Sequence, residues 1–351
     1  MRKTNTSAPS RHVASLVDVA PVFESELGSV AELSASTFSI LDGMSLKRIV
    51  LEPGAIREPQ WNVNSNQIAY VTRGTVLVSM LATGDEFATF VVKTGQMYHV
   101  ASGAVYHIEN VGDEVAEIIA ALRTADPQHF SFPNSVNVMS NAVLGNTYDL
   151  PASAFEGFPR GEAPQIIRRT GSATVPENAG LPNAHLFDAE GQIAPLAYPY
   201  GSAKLARKQF WAALEDLSMY SLNIGGGGMR EPHWHPITAE LGYVRSGHAR
   251  MTILDPDGTV DTYELSPGQA YFVPRAYPHH IEALSEEGIE FLIFFDQFVP
   301  GDVGYRATAT AFSREVLAAT FQVPEKELPP FPFTPIDPLI VARANPRDPI
   351  A

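Results

Sequence analysis

The sequence contains no cysteine. That excludes disulfide scaffolds, zinc–thiolate sites and a cysteine nucleophile, and leaves the redox compartment open. Positive charge is scarce: 24 Lys and Arg stand against 39 Asp and Glu, a formal charge of −15. Binding to a phosphate backbone rests on basic patches, so nucleic acid is not an expected partner. No apolar run approaches the roughly 18 residues that span a bilayer, so no membrane partner is expected. The start, MRKTNTSAPSRHVASLVDVAPVF, is basic for three residues and then polar, with no apolar core of a secretory leader. A cytoplasmic location is the resulting expectation. What is present is ample apolar material, with 45% hydrophobic and 10% aromatic residues in 351. At roughly 150 residues per domain this length suggests about two domains.

An internal repeat settles the organisation. When residue n is set beside n + 173, Gly28 falls on Gly201 and the two segments align without a gap. Gly54, Arg57, Glu58, Pro59 and Trp61 fall on Gly227, Arg230, Glu231, Pro232 and Trp234. Tyr98 falls on Tyr271, and His107, Ile108 and Glu109 on His280, Ile281 and Glu282. Ser140 and Pro151 fall on Ser313 and Pro324. Clusters in a fixed register indicate one duplication.

Each repeat reads as β structure. YSLNI, ELGYVRSG, HARMTILD, TYELSPG, AYFVP and IEFLIFF are short runs rich in Val, Ile, Tyr, Phe and Leu. Gly, Pro, Asp and Ser punctuate them at roughly 8–12-residue spacing, which predicts a sandwich or barrel. Asp255 to Gly258 is a hairpin turn signal. One short helix is expected per repeat, behind Ser140 and behind Ser313 as N-caps. The expected division is an N-terminal arm (1–27), a first domain (28–151), a linker (152–200), a second domain (201–324) and a Pro-rich C-terminal arm (325–351). That arm is expected to lie on a neighbouring barrel.

The second repeat holds REPHWHPITAELGYVRSG and GQAYFVPRAYPHHI. His233 and His235 are two apart, so on a strand both imidazoles enter one interior. Glu240 and His279 complete a set of three imidazoles and a carboxylate, which suits Mn, Fe, Ni, Cu or Zn with open positions. A His-x-His pair alone is equally what two half-buried strand histidines look like. The full set, framed by glycines and repeated strands, carries the metal reading. His279 and His280 are adjacent and face opposite ways on a strand, so only one of them ligates.

These segments resemble the two cupin motifs, and the duplicated chain resembles the oxalate decarboxylase group of bicupins. The resemblance rests on REPHWH and PHHIEALSEEGIEFLIFF and covers roughly residues 28–340. It implies an all-β chain with short helices, built as two tandem jelly-roll barrels that assemble as trimers or hexamers. It implies manganese held by His233, His235, Glu240 and His279, the last selected by the family spacing from Gly268. It also implies that Arg230 binds a substrate carboxylate; a strand-edge ion pair is its plainer role. A guanidinium fork matches a carboxylate bidentately.

Two departures stand out. In register, the four ligands become Gln60, Asn62, Gln67 and Tyr106 in the first repeat. Neutral amides and a phenol lack the charge and basicity of a tight divalent site. A metal-free scaffold is expected there, or a site for a small polar ligand, and hence one metal per chain. His107 matches His280, and both are expected to be structural. The second departure is the lid: the decarboxylases carry Ser-Glu-Asn-Ser after the last barrel strand, with a Glu that handles the proton. Here the chain reads FLIFFDQFVPGDVGYR. Asp302 is the only carboxylate within that loop, with Asp296 at its start; either is a candidate general acid or a solvated turn residue. Oxalate-decarboxylase-like chemistry on a small carboxylate leads, with weak or no decarboxylation expected. The alternatives are oxalate oxidase, dioxygenase or isomerase chemistry, or non-catalytic binding of a small ligand.

Overall fold

The computed structural model describes residues 10–84, 86–161, 166–169 and 174–346. Small parts of the expected N-terminal arm, linker and C-terminal arm lie outside them. The chain is mostly β and divides into two compact units. The first-repeat unit comprises 16–191 and 211–216; the second-repeat unit comprises 1–15, 192–210 and 217–351. The segment expected to be a linker contributes strands to both. Ile167–Arg169 and Leu186–Asp188 join first-repeat sheets, and Leu196–Tyr198 joins a second-repeat sheet.

Each unit is a pair of sheets, jelly-roll in arrangement rather than a closed cylinder. In the second-repeat unit the larger sheet runs Val13–Ser15, Gln269–Val273, Glu240–Gly247, Ile289–Phe295, Ser218–Ile224, Gly201–Ala206, Leu196–Tyr198. The smaller runs Val260–Leu265, Ala249–Leu254, His279–Ala283, Gly228–Trp234, Val303–Gly304. The core lies between them, with Leu205, Val244, Met251, Tyr271, Phe291 and their neighbours almost fully buried. Burial on the two inner faces follows the strand alternation of apolar and polar residues.

The repeat persists in the hydrogen-bond ladders. Tyr106 pairs with Met80 and Gln60 in one unit, and His279 pairs with Ile253 and His233 in the other. The expected helices are Asn141–Tyr148 and Arg314–Phe321, each capped by its serine hydroxyl accepting from the third following N–H, of Val143 and Val316. The Asp255–Gly258 turn joins Ala249–Leu254 to Val260–Leu265.

The C-terminal arm differs from expectation. Ile340–Ala342 returns to its own unit and pairs antiparallel with Gly228–Arg230, the strand that leads into the histidines. Its path is fixed by Asp337, whose two carboxylate oxygens accept from Gly304 N (2.8 Å) and Ala307 N (2.9 Å). A Cβ on Gly304 would meet that carboxylate at 2.6 Å, so a larger residue there would displace it. Truncation after Phe321 should therefore expose a strand edge in the same molecule. It also strips the Leu339 carbonyl from Arg230 and Glu231 N. Each buried donor left bare costs about 1–3 kcal/mol. A lowered Tm and light-scattering aggregates are the expected result; an unchanged Tm would contradict it.

Candidate metal centre

Strand alternation alone does not put Arg230 and His233 on one face, because they are an odd number of residues apart. A β-bulge does. Arg230 pairs with Ile281 and His233 with His279, so one extra residue is accommodated between them. Pro232 lies in this stretch and has no N–H to give to a ladder, which suits it to such an interruption. The bulge re-aims the strand so that Arg230, His233 and His235 all enter the interior. The first repeat carries the same irregularity between Arg57 and Gln60.

His233, His235, Glu240 and His279 are all buried, and one donor atom from each lies within 4.8 Å of the others. Each imidazole is fixed by a backbone carbonyl. His233 Nδ1 meets Glu231 O at 2.7 Å, His235 Nδ1 meets Gly301 O at 2.9 Å, and His279 Nδ1 meets Tyr277 O at 2.9 Å. A carbonyl only accepts, so each Nδ1 carries the proton and each Nε2 is left for a ligand. His235 Nε2 lies 2.8 Å from Glu240 Oε2. Two acceptors at that separation require a cation between them, a proton or a metal. His279 Nε2 is buried and makes no hydrogen bond, at 3.4 Å from the same carboxylate oxygen. These residues fit a divalent metal.

The electrostatics of His233 and Glu240 agree, while His235 shares a proton with Glu240 that a metal would displace. Burial pushes His233 well below the ordinary histidine range, helped by the charge of Arg230 and the neighbouring imidazoles, so it stays neutral as a ligand must. Burial would raise the Glu240 carboxyl, but His235 and His279 outweigh it and hold it well below the usual carboxylate range. For His235, burial pulls down, and the Glu240 hydrogen bond with the Asp302 charge carries it upward overall.

The two candidate catalytic residues meet at this centre. Arg230 Nη2 donates to Asp302 Oδ1 at 2.6 Å, and Nη1 donates to the Leu339 carbonyl at 3.1 Å. The same Asp302 oxygen is 3.3 Å from His235 Nδ1 and 3.9 Å from His233 Nε2. Asp302 is thus part of the centre rather than a solvated turn residue. The cavity lined by Arg230, His233, His235, Glu240, Tyr220 and Asp302 measures about 20 Å³, room for little more than one water. Asp296 does other work: it accepts from Ala239 N at 2.8 Å and pairs with Arg275, fixing the entry to Glu240. His280 is half-buried, outside the ligand cluster, and faces Thr252 across the ladder.

The chain matches the cupin family over residues 15–154 and 206–328. It belongs to the cupin family. Two copies of the domain make this cupin a bicupin. Its relatives include the oxalate decarboxylase OxdC of Bacillus subtilis, 26% identical over 283 residues, which span 76% of this chain and 71% of that protein. A probable oxalate decarboxylase of Arthroderma benhamiae is 24% identical over 286 residues, 79% of this chain and 70% of that protein. In structure the cupin superposes on the Bacillus subtilis oxalate decarboxylase with a TM-score of 0.82 at 21% identity. That match covers 96% of this chain and 88% of the other. No helix among the described residues is long and apolar enough to cross a membrane.

In the cupin's first repeat the ligand positions are filled by a buried polar web. Gln60 Nε2 donates to Tyr106 OH (3.0 Å), Tyr106 OH to Gln67 Oε1 (3.1 Å), and Asn62 Nδ2 to Gln67 Oε1 (3.3 Å). Among the described residues a further group of possible ligands is His12, Asp255 and Asp261. Its members are engaged elsewhere: Arg11 pairs with Asp255 Oδ1 (2.7 Å), His12 is held by Phe272 O and the same Asp255 oxygen, and Ser10 donates to Asp261, while Asp255 Oδ2 has no hydrogen-bond partner.

Sequence reasoning missed two supports of the metal centre. Leu339 sits at φ 57°, strained for a branched side chain, and its carbonyl accepts from both Arg230 and Glu231 N. Tyr271 OH donates to Glu240 Oε1 at 2.5 Å. Burial and the Glu240 charge push this phenol well up, so it remains a donor. Gly242 makes room for it, since a Cβ there would lie 2.1 Å from the ring. The only signal in the sequence was the Tyr98–Tyr271 identity. Tyr271→Phe should weaken metal affinity about 10–100-fold, as outer-shell losses do. Competitive chelator titration checks this; an unchanged Kd would remove Tyr271 from the centre.

Proposed function

We propose that this bicupin is a metal-dependent protein acting on a small carboxylate of the oxalate class, with a single metal in its second-repeat unit. One observation carries the reading. Three buried imidazoles, each with its Nδ1 on a backbone carbonyl, and the Glu240 carboxylate lie beside an arginine that already holds a carboxylate, that of Asp302. Manganese is the first choice among Mn, Fe, Ni, Cu and Zn, because the related Bacillus subtilis decarboxylase has Mn(II) centres and the donors are hard oxygen and borderline nitrogen.

A bound metal would act as Lewis acid on a carboxylate oxygen and offers open positions for substrate or dioxygen. Arg230 clamps the carboxylate through its fork, in the place Asp302 takes in this structure. The surrounding Tyr220, Ile281 and Phe295 keep bulk water from that pair. With so little free volume, substrate enters only when the Asp302 loop moves and Asp302 leaves Arg230. Asp302 is then the loop carboxylate that could hold or return a proton.

The same geometry serves oxidation, because the metal ligands and Arg230 do not depend on a proton donor. The absence of the Ser-Glu-Asn-Ser lid favours that second reading. Metal analysis of purified protein, followed by an organic-acid panel scored for formate, carbon dioxide and hydrogen peroxide, separates them. No consumption of any small acid by fully metallated protein would leave a binding role only. The exposed apolar residues of both helix pairs, Val143 and Tyr148 in one unit and Val316 and Phe321 in the other, support a homo-oligomer.

A further inference from the structure

One buried histidine takes no part in the metal centre. His99, on strand Gln96–Val100, is 5% exposed, and neither of its ring nitrogens makes a hydrogen bond. Its ring lies parallel to that of the half-buried His185, with centroids 5.8 Å apart and planes at 6°. It also meets the Trp211 ring at 6.3 Å and 83°. Packing does not require an imidazole here. The register counterpart of His99 in the second repeat is Phe272, which is fully buried against an arm docked in the same way. Phe272 N donates to His12 O as His99 N donates to His185 O. A neutral imidazole carries one N–H, so His99 keeps an idle buried donor at a cost that Phe272 avoids.

His99 packs against a segment that comes from the other repeat. Residues 211–216 lie in the chain between the second-repeat strands Gly201–Ala206 and Ser218–Ile224, yet they belong to the first-repeat unit. Trp211 is their anchor. It stacks on Phe187 at 5.2 Å and 10°, and its indole N–H donates to the Ala184 carbonyl at 2.8 Å. Leu214 is fully buried, and Asp216 Oδ1 accepts from Asn66 at 3.0 Å. The carboxylates of the surrounding segments are engaged or exposed. Glu190 accepts from Tyr70, Asp188 accepts from Gly191 N, Glu114 pairs with Arg73, and Glu215 is exposed. Among the described residues no carboxylate lies within ion-pair distance of His99. The ionisable group that acts on it is His185, on which Glu86 acts in turn.

We propose that His99 is an acid-operated latch: when its ring takes up a proton, the Trp211–Asp216 segment is released from the first-repeat unit. An imidazolium in this place would lie between an indole and a second imidazole, with no carboxylate to balance its charge. Burial holds His99 down to about 4, against an ordinary value of 6.5, and the charge of His185 adds to the effect. Burial lowers His185 as well, with Glu86 opposing. A histidine lowered in the closed form binds its proton more readily once released. The closed segment is therefore fully favoured above pH 6.5, and that advantage is lost as the pH falls toward about 4. The two values together correspond to a rise in the released fraction on the order of 100-fold. The latch needs no metal and does not rest on the reading of the metal centre.

The experiment is hydrogen–deuterium exchange of the full-length protein between about pH 7 and about pH 4, corrected for the intrinsic pH dependence of exchange. It is read on peptides covering 211–216, with strand Ala116–Leu122 of the same unit as reference. Protection of 211–216 should fall on the order of 100-fold over this range, while the reference strand keeps its protection. His99→Phe installs the side chain that the other repeat carries, and should make 211–216 insensitive to pH. His99→Gln, polar but without a titrating ring, should do the same even if His99→Phe does not fold. Asp216→Asn should keep the response, because its carboxylate is not the switch. The proposal is overturned if the wild-type segment stays protected in acid, or loses no more protection than the reference strand. It is overturned equally if the response survives in folded His99→Phe or His99→Gln, or disappears with Asp216→Asn. A gain of protection in acid would also sink it, because the imidazolium would then be held by the face of Trp211.

Discussion

His235→Ala is expected to reduce bound metal from about one equivalent per chain to almost none, because a four-ligand site that loses an imidazole loses most of its affinity. His235 is the right residue to remove, because it contacts the Glu240 carboxylate most closely, at 2.8 Å. Its loss leaves that buried carboxylate with only Tyr271 and the more distant His279 as partners. Removing one partner of a buried charge pair typically costs about 3–5 kcal/mol, so the Tm should fall as well. Gln60→Ala, at the register-equivalent region of the first repeat, should leave metal content unchanged. The web around Gln60 contains amides and a phenol, which accept and donate hydrogen bonds among themselves and supply no anionic ligand. Elemental analysis of the three proteins is the measurement. Two equivalents of metal in the wild-type chain would sink the single-site reading, and retention of metal by His235→Ala would remove the histidine cluster from consideration.

What could be read from the sequence was local or periodic. The duplication survives as identical pairings, Tyr106 with Met80 and His279 with Ile253, because strand register is set by patterns that both repeats retain. The serine caps at Ser140 and Ser313 are three-residue motifs and need nothing distant. The histidines two apart share a face by strand geometry alone, and Glu240 and His279 join them as the family resemblance implies. What could not be read depends on segments far apart in the chain. The bulge that turns Arg230 inward is visible only when the strand is laid against Arg230's partner, Ile281. The return of Ile340–Ala342 onto Gly228–Arg230 joins residues more than a hundred positions apart, and a Pro-rich composition says only that the arm is extended. Asp302 looked like any loop carboxylate; its position is decided by Asp337, the Gly301 carbonyl on His235, and the short pairing of Val303–Gly304 with His233 and Trp234.

Oxalate given to the metallated protein should release little formate, and whatever appears should vanish in Asp302→Asn. Decarboxylation requires a group that returns a proton to carbon, and such general acids contribute roughly 10²–10⁴-fold. The loop offers one carboxylate for this, and it spends the structure bound to Arg230 at 2.6 Å. To act it must release Arg230 to the substrate and then stay within hydrogen-bond reach of the reacting carbon, which asks the loop to move and to close again. Asp302→Asn keeps the shape of the side chain and removes both its charge and its exchangeable carboxyl proton. The amide competes less well for the guanidinium, so oxalate binding should tighten by about tenfold, the worth of one charge-assisted hydrogen bond over a neutral one. Metal content should not change, since none of the four ligand atoms is altered. Arg230→Ala should do the reverse and weaken oxalate binding, leaving a proton donor with no anchored substrate. The pair of variants thus separates binding from proton transfer: loss of product with tighter oxalate points to Asp302 as the acid, and loss with weaker oxalate points to the clamp. Rapid, stoichiometric formate from the wild-type chain would show the expectation of weak decarboxylation to be wrong, and an undiminished rate in Asp302→Asn would show that another group delivers the proton.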